Sequence, residues 1–152
     1  MNILCVSDGS DGGYKTVDLL ARIIDRRMVD KIKIVLVTWP QRQGALWNKA
    51  YGLWPAKHDL HQAMQITVDR ELDRFRAAFR DHAGSIETAS AAGEPISEIL
   101  KNAKLVEADL IFVAITGDSE AEQARRLSYE LIAKSPTPVV IAYGRNNSSL
   151  QH

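Results

Sequence analysis

Four times along this chain a short strand-like run is followed by a longer segment that reads as a helix, and a fifth short run closes the series. The short runs are residues 2–6, 32–38, 85–91, 110–115 and 139–143. Between them, Val17, Leu20, Ala21 and Ile24 follow the i, i+3, i+4, i+7 pattern of a buried helix face. Leu60, Met64, Val68, Leu72, Phe75 and Phe79 form a second stripe, and Ile96, Ile99, Leu100, Ala103 and Val106 a third. Strictly alternating strands and helices build an α/β fold, an open parallel sheet with helices on both faces and right-handed crossovers. Ligands of such Rossmann-like sheets bind beyond the carboxyl ends of the strands, where the strand order reverses. The polar loops after the first and fourth runs are therefore the candidate site.

Local signals set the expected boundaries. The cluster Ser7-Asp8-Gly9-Ser10-Asp11-Gly12-Gly13 reads as a turn, with a helix from about residue 14 to 28 behind it. Pro40, Gly44, Gly52 and Pro55 mark 40–57 as irregular, and a long helix is expected over 59–82. Pro95 suits the first turn of the next helix, where its missing N–H is not needed. Ser119-Glu120-Ala121-Glu122 has the form of a capping box, opening a helix to about Lys134 that Pro136 and Pro138 stop.

The chain is 152 residues long, enough for one domain with its own core. Nineteen basic residues balance nineteen acidic ones, which leaves no basic excess for binding a phosphate backbone, so no nucleic-acid partner is expected. The longest apolar run, 110–115, is far short of a membrane span, and the first residues hold no signal core. One cysteine, Cys5, lies inside the first strand and forms no internal disulfide. These features point to the cytoplasm.

Several chemical motifs are absent: no phosphate loop, no Gly-x-Gly-x-x-Gly and no nucleophile elbow. His58 and His61 lack a third ligand, so no metal site is expected. Trp47, Tyr51 and Trp54 share a face if their stretch is helical. Either they pack the loop onto the sheet edge, or they form a lid or partner surface.

Taken in order, these pieces resemble the universal stress protein family. The run Ile3-Leu4-Cys5-Val6-Ser7-Asp8-Gly9-Ser10 is similar to the family's opening strand and loop. Gly93-Glu94-Pro95 with Ile96-Ser97-Glu98-Ile99-Leu100 resembles its third strand–helix junction. Ala108-Asp109-Leu110-Ile111-Phe112-Val113 resembles its fourth strand, and Ser135-Pro136-Thr137-Pro138-Val139-Val140 its last. The resemblance implies a domain over residues 1–144, a polar tail at 145–152, a sheet of order 3-2-1-4-5 and a homodimer. Some members bind ATP or AMP and others do not.

Members that bind carry Gly-x-x-Gly, nine residues, then Gly-[Ser/Thr]. At that spacing this chain has Ala114-Ile115-Thr116-Gly117 and Leu127-Ser128, keeping one glycine and the hydroxyl. Leu127 replaces a glycine that lets backbone approach phosphate. Asp118, Glu120 and Glu122 stand where a triphosphate would lie, and each carboxylate at ~4 Å from a phosphate charge costs roughly 1–4 kcal/mol. Arg125 and Arg126 compensate only if they point inward. On the adenosine side, Ser7, Asp8 and Val37 match the resemblance. Asp8 reads equally as a ligand and as an ordinary turn residue.

No residue set brings together a nucleophile, a base and an oxyanion site. The expected function is binding by a dimer in stress response, of an adenine nucleotide held weakly if at all, AMP ahead of ATP. A protein-interaction module without nucleotide and a slow ATPase are the alternatives. The implied dimer edge is the last strand, Val139, Val140, Ile141, Ala142 and Tyr143: an apolar edge strand tends to be paired or covered.

Overall fold

The computed structural model describes residues 1–38, 45–53, 59–81, 85–91, 94–116 and 122–144. Its elements are β1 Asn2–Ser7, α1 Asp11–Ile23, β2 Lys31–Val37, α2 Ala45–Leu53, α3 Leu60–Ala78, β3 Ser85–Ala91, α4 Pro95–Leu105, β4 Leu110–Thr116, α5 Glu122–Lys134 and β5 Val139–Gly144. The five strands form one sheet in the order β3-β2-β1-β4-β5, and every neighbouring pair is parallel.

Alternation along each strand feeds two cores. Ile3 and Cys5 of β1 join Ile32, Ile34 and Leu36 of β2 beneath α1, α2 and α3, where Phe75 and Phe79 fill the largest volumes. Leu4 and Val6 face the other way, into a core closed by Ile96 and Ile99 of α4 and by Leu127 and Leu131 of α5. A strand covered on both faces needs apolar residues at consecutive positions, which is why β1 and β4 read as unbroken apolar runs. Burial pushes the Cys5 thiol up to about 12, so it stays protonated and packs as a small apolar group.

Three expected segments are corrected. The first helix begins at Asp11, not near 14, because Ser10 caps it and the two glycines are helical. It ends at Ile23, and Asp25 then caps a separate 3-10 turn, Arg26–Met28, by accepting the Arg27 N–H. The stretch read as irregular contains α2, which buries Leu46 and Ala50. The long helix ends at Ala78, short of 82, and Asp59 caps its start by accepting the His61 N–H at 2.9 Å. The capping box at 119, the glycine at 93 and the tail at 145–152 lie outside the described residues.

β5 is an edge strand. Val139 and Ile141 pack toward the α4–α5 core and Ala142 toward the opposite one, while Val140 and Tyr143 are exposed. At its end the backbone of Gly144 lies directly against α1: a Cβ there would overlap the Gly12 carbonyl oxygen. Neither backbone can yield without shifting α1 or the strand. Gly144→Ala is therefore expected to cost about 1–3 kcal/mol as an overpacking change, read as a lower urea midpoint. An unchanged midpoint would show that the contact is not tight.

Candidate functional site

β1 and β4 lie side by side, but the chain leaves β1 toward β2 and enters β4 from the far side, so the switch point falls between them. Ser7 is level with Leu36 on one side and Ala114 on the other. Beyond it the chain turns on its own side chains. The Asp8 Oδ1 accepts the Ser10 N–H at 3.0 Å and the Ser10 hydroxyl at 2.6 Å. The Ser10 Oγ in turn accepts the Gly13 N–H at 2.9 Å, which caps α1. The Ser7 Oγ accepts the Gly9 N–H at 3.2 Å. The turn role of Asp8, one of its two sequence readings, is thus present in the fold. Gly9 has φ +75, a backbone region that suits glycine, and a Cβ on it would overlap Leu46 of α2.

Of the residues matched by resemblance, Ser7, Asp8, Val37, Ala114 and Thr116 stand at this end of the sheet. Ser7 and Ala114 are fully buried and Asp8 is 5% exposed. Val37 ends β2 in the core that also contains Val35 and Ala91. Thr116 ends β4, level with Gly144. Gly117 lies outside the described residues, as do Asp118 and Glu120. Ser128 is buried on α5, and the Leu127 side chain is packed in the core with Leu131. Glu122 is paired with Arg126 along the outer face of α5, at 3.2 Å. Among the described residues no group of three metal-binding side chains comes together, and His58 is outside them.

Sequence reasoning missed a polar cluster joining three helices beside the loop. Lys49 of α2 donates to Glu71 of α3 at 2.8 Å and lies 3.3 Å from Asp11 of α1. Arg74 reaches Asp11 at 3.2 Å and stacks 3.6 Å above the Tyr14 ring, which meets Phe75 edge-on. These residues are far apart in sequence, so no spacing announces them. Trp47 packs against the adjoining core, with the exposed Tyr51 ring 6.4 Å away. Trp54 is outside the described residues.

Burial alone would raise the Asp11 carboxyl, but the Lys49 charge and the Arg74 and Lys49 hydrogen bonds outweigh it and hold it below 3.8. A depressed carboxylate adds stability above its unfolded pKa and loses it as pH falls through the folded value. Asp11→Asn is therefore expected to lower the urea midpoint at neutral pH, with the gap to the unchanged protein closing in acid. A gap independent of pH would contradict the ionic role. Ser10→Ala removes the cap and an Asp8 partner together, and is expected to cost roughly 1 kcal/mol or more. A neutral outcome in the same titration would count against the loop's internal bonding.

The fold recurs in solved structures. A universal stress protein in complex with cAMP is 20% identical, with TM-score 0.58 over 95% of this chain and 97% of that one. The universal stress protein UspA from Lactobacillus plantarum is 18% identical, with TM-score 0.59 over 93% and 96%. A universal stress protein family protein from Arabidopsis thaliana with AMP bound is 15% identical, with TM-score 0.59 over 98% and 95%. No curated protein sequence matches the chain. The sequence pattern of the Universal stress protein family matches residues 1–142, and with that match the chain belongs to this family.

Proposed function

We propose that this protein is a dimeric, cytoplasmic binding protein for an adenine nucleotide, with AMP held more readily than ATP. The binding unit is the domain over 1–144, followed by a polar tail. One observation carries the reading. Ser7, Asp8, Val37 and Thr116 converge at the reversal point of a parallel sheet, where such folds take their ligands. The relatives crystallised with cAMP and AMP support an adenosine ligand. Family membership supports a stress-response setting.

The preference for AMP follows from charge and shape. Glu122 opens α5, Asp118 and Glu120 precede it in sequence, and Leu127 stands in place of a glycine. A monophosphate brings less charge to these acids than a triphosphate. Mass spectrometry of the denatured, freshly purified protein should release an adenine nucleotide. Calorimetry should then show AMP binding more tightly than ATP, with no phosphate released on incubation with ATP. Submicromolar ATP affinity, or no uptake of either nucleotide, would overturn the reading.

The edge strand supports the dimer. Ile111 donates its N–H to the Pro138 carbonyl. In a parallel pair, alternate residues face the neighbouring strand, so Val140 and Ala142 continue that ladder while Val139, Ile141 and Tyr143 turn their backbone groups to the free edge. Exposed apolar side chains lie on this strand, Val140 and Tyr143, and on the two helices that contact it, Leu19 and Ile23 of α1 and Tyr129 and Ile132 of α5. A second copy pairing along β5 would satisfy the free backbone groups and cover these side chains. Light scattering should give about twice 16.9 kDa. Ile141→Pro removes an outward donor and spares the inner ladder, so it should yield a folded monomer. A monomer at micromolar concentration before any substitution would contradict the dimer.

A further inference from the structure

We propose that α2 is a latched cover over the β1–α1 loop, with Leu46 as the foot that closes on Gly9 and Lys49 as the latch. The cover stands on geometry alone. Its role in admitting ligand rests on the nucleotide reading above.

Three features make α2 a separable part. It is nine residues long, and a helix of that length does not persist in water without a surface to pack on. That surface is α3 together with the core beneath it, where Leu46 and Ala50 join Ile34 and Leu36 of β2. Only Leu46 and Ala50 are buried from it. Undocking α2 therefore opens one corner of this core but breaks no strand pairing.

The foot covers what a ligand of the loop would have to meet. Leu46 is 2% exposed and rests where a Gly9 side chain would be. Beneath it the polar groups of Ser7, Asp8 and Ser10 are buried and bonded to the loop itself. A ligand reaching Gly9 and its neighbours from this side must first lift Leu46.

The latch joins one largely buried carboxylate and one exposed one. Lys49 holds Glu71 at 2.8 Å and Asp11 at 3.3 Å. If it leaves, Asp11 keeps Arg74 at 3.2 Å, while Glu71, with its side chain 10% exposed, keeps only Arg74 at 3.7 Å and no hydrogen bond. Arg74 is itself fixed over the Tyr14 ring and does not travel with α2. Charge therefore favours the docked arrangement, and opening α2 has to offset the lost Lys49–Glu71 bond. A ligand that binds the undocked arrangement better would shift the balance toward it.

Hydrogen exchange on the full-length protein tests this. Lys49→Met keeps the aliphatic stem and removes the charge. It should speed exchange of the 45–53 and 9–13 amides by about tenfold, with β1 and β4 unchanged, and Lys49→Arg should restore protection. The unsubstituted protein offers a second measurement, since added salt screens a partly exposed latch and should speed the same amides. AMP should also dissociate faster from Lys49→Met. Unchanged 45–53 exchange in both the variant and salt overturns the cover. Faster exchange with unaltered AMP kinetics overturns its gating role. Failure of either protein to take up AMP overturns the nucleotide reading, and the exchange results still decide the latch.

Discussion

The fold turns on one short relay of hydrogen bonds: the Asp8 carboxylate takes the N–H and hydroxyl of Ser10, and the Ser10 oxygen takes the N–H of Gly13. Within six residues the chain stops being a central strand and becomes a helix lying back across the sheet. Such a reversal exposes backbone donors at the helix start that would be costly to bury unpaired. Here side chains within the loop take up part of that demand. The bend can therefore be buried at the middle of the sheet's carboxyl edge.

The seat of α1 follows from that bend. Gly12 lands against Gly144, so the first helix and the last strand meet backbone to backbone. The same helix presents Asp11 and Tyr14 toward α3, where Arg74 joins both. Lys49 then ties α2 into the cluster. Loop, helix layer and edge strand are thus one connected set of contacts. The free edge thus meets the switch-point loop through α1, and α2 meets it directly where Leu46 lies against Gly9.

The sequence made much of this legible, for physical reasons. A doubly covered parallel strand must be apolar at consecutive positions, so the β1, β2 and β4 runs stood out, and helical stripes such as Leu60 to Phe79 fixed the layers between them. Three things were hidden. Gly12 and Gly13 looked like turn residues, yet they are helical, and a Cβ on Gly13 would crowd the Ala114 carbonyl oxygen. α2 lies between segments rich in proline and glycine, and it is helical because Leu46 and Ala50 find a surface on α3, a tertiary effect that local propensity does not carry. The Asp11–Lys49–Glu71–Arg74 cluster joins positions with no shared spacing. At the site, the sequence offered Asp8 as turn or ligand, and the fold shows the bonds of the turn.

The proposed function puts adenosine monophosphate at the reversal point between β1 and β4. A titration of the isotope-labelled protein with AMP, followed residue by residue through backbone amide resonances, tests it most directly. The account predicts that the largest shifts fall on Asp8 to Gly13, Val37 and Thr116, with smaller ones on α2. Shifts confined to β3, to the outer face of α5 or to the β5 edge, or a spectrum unmoved by AMP, would contradict it.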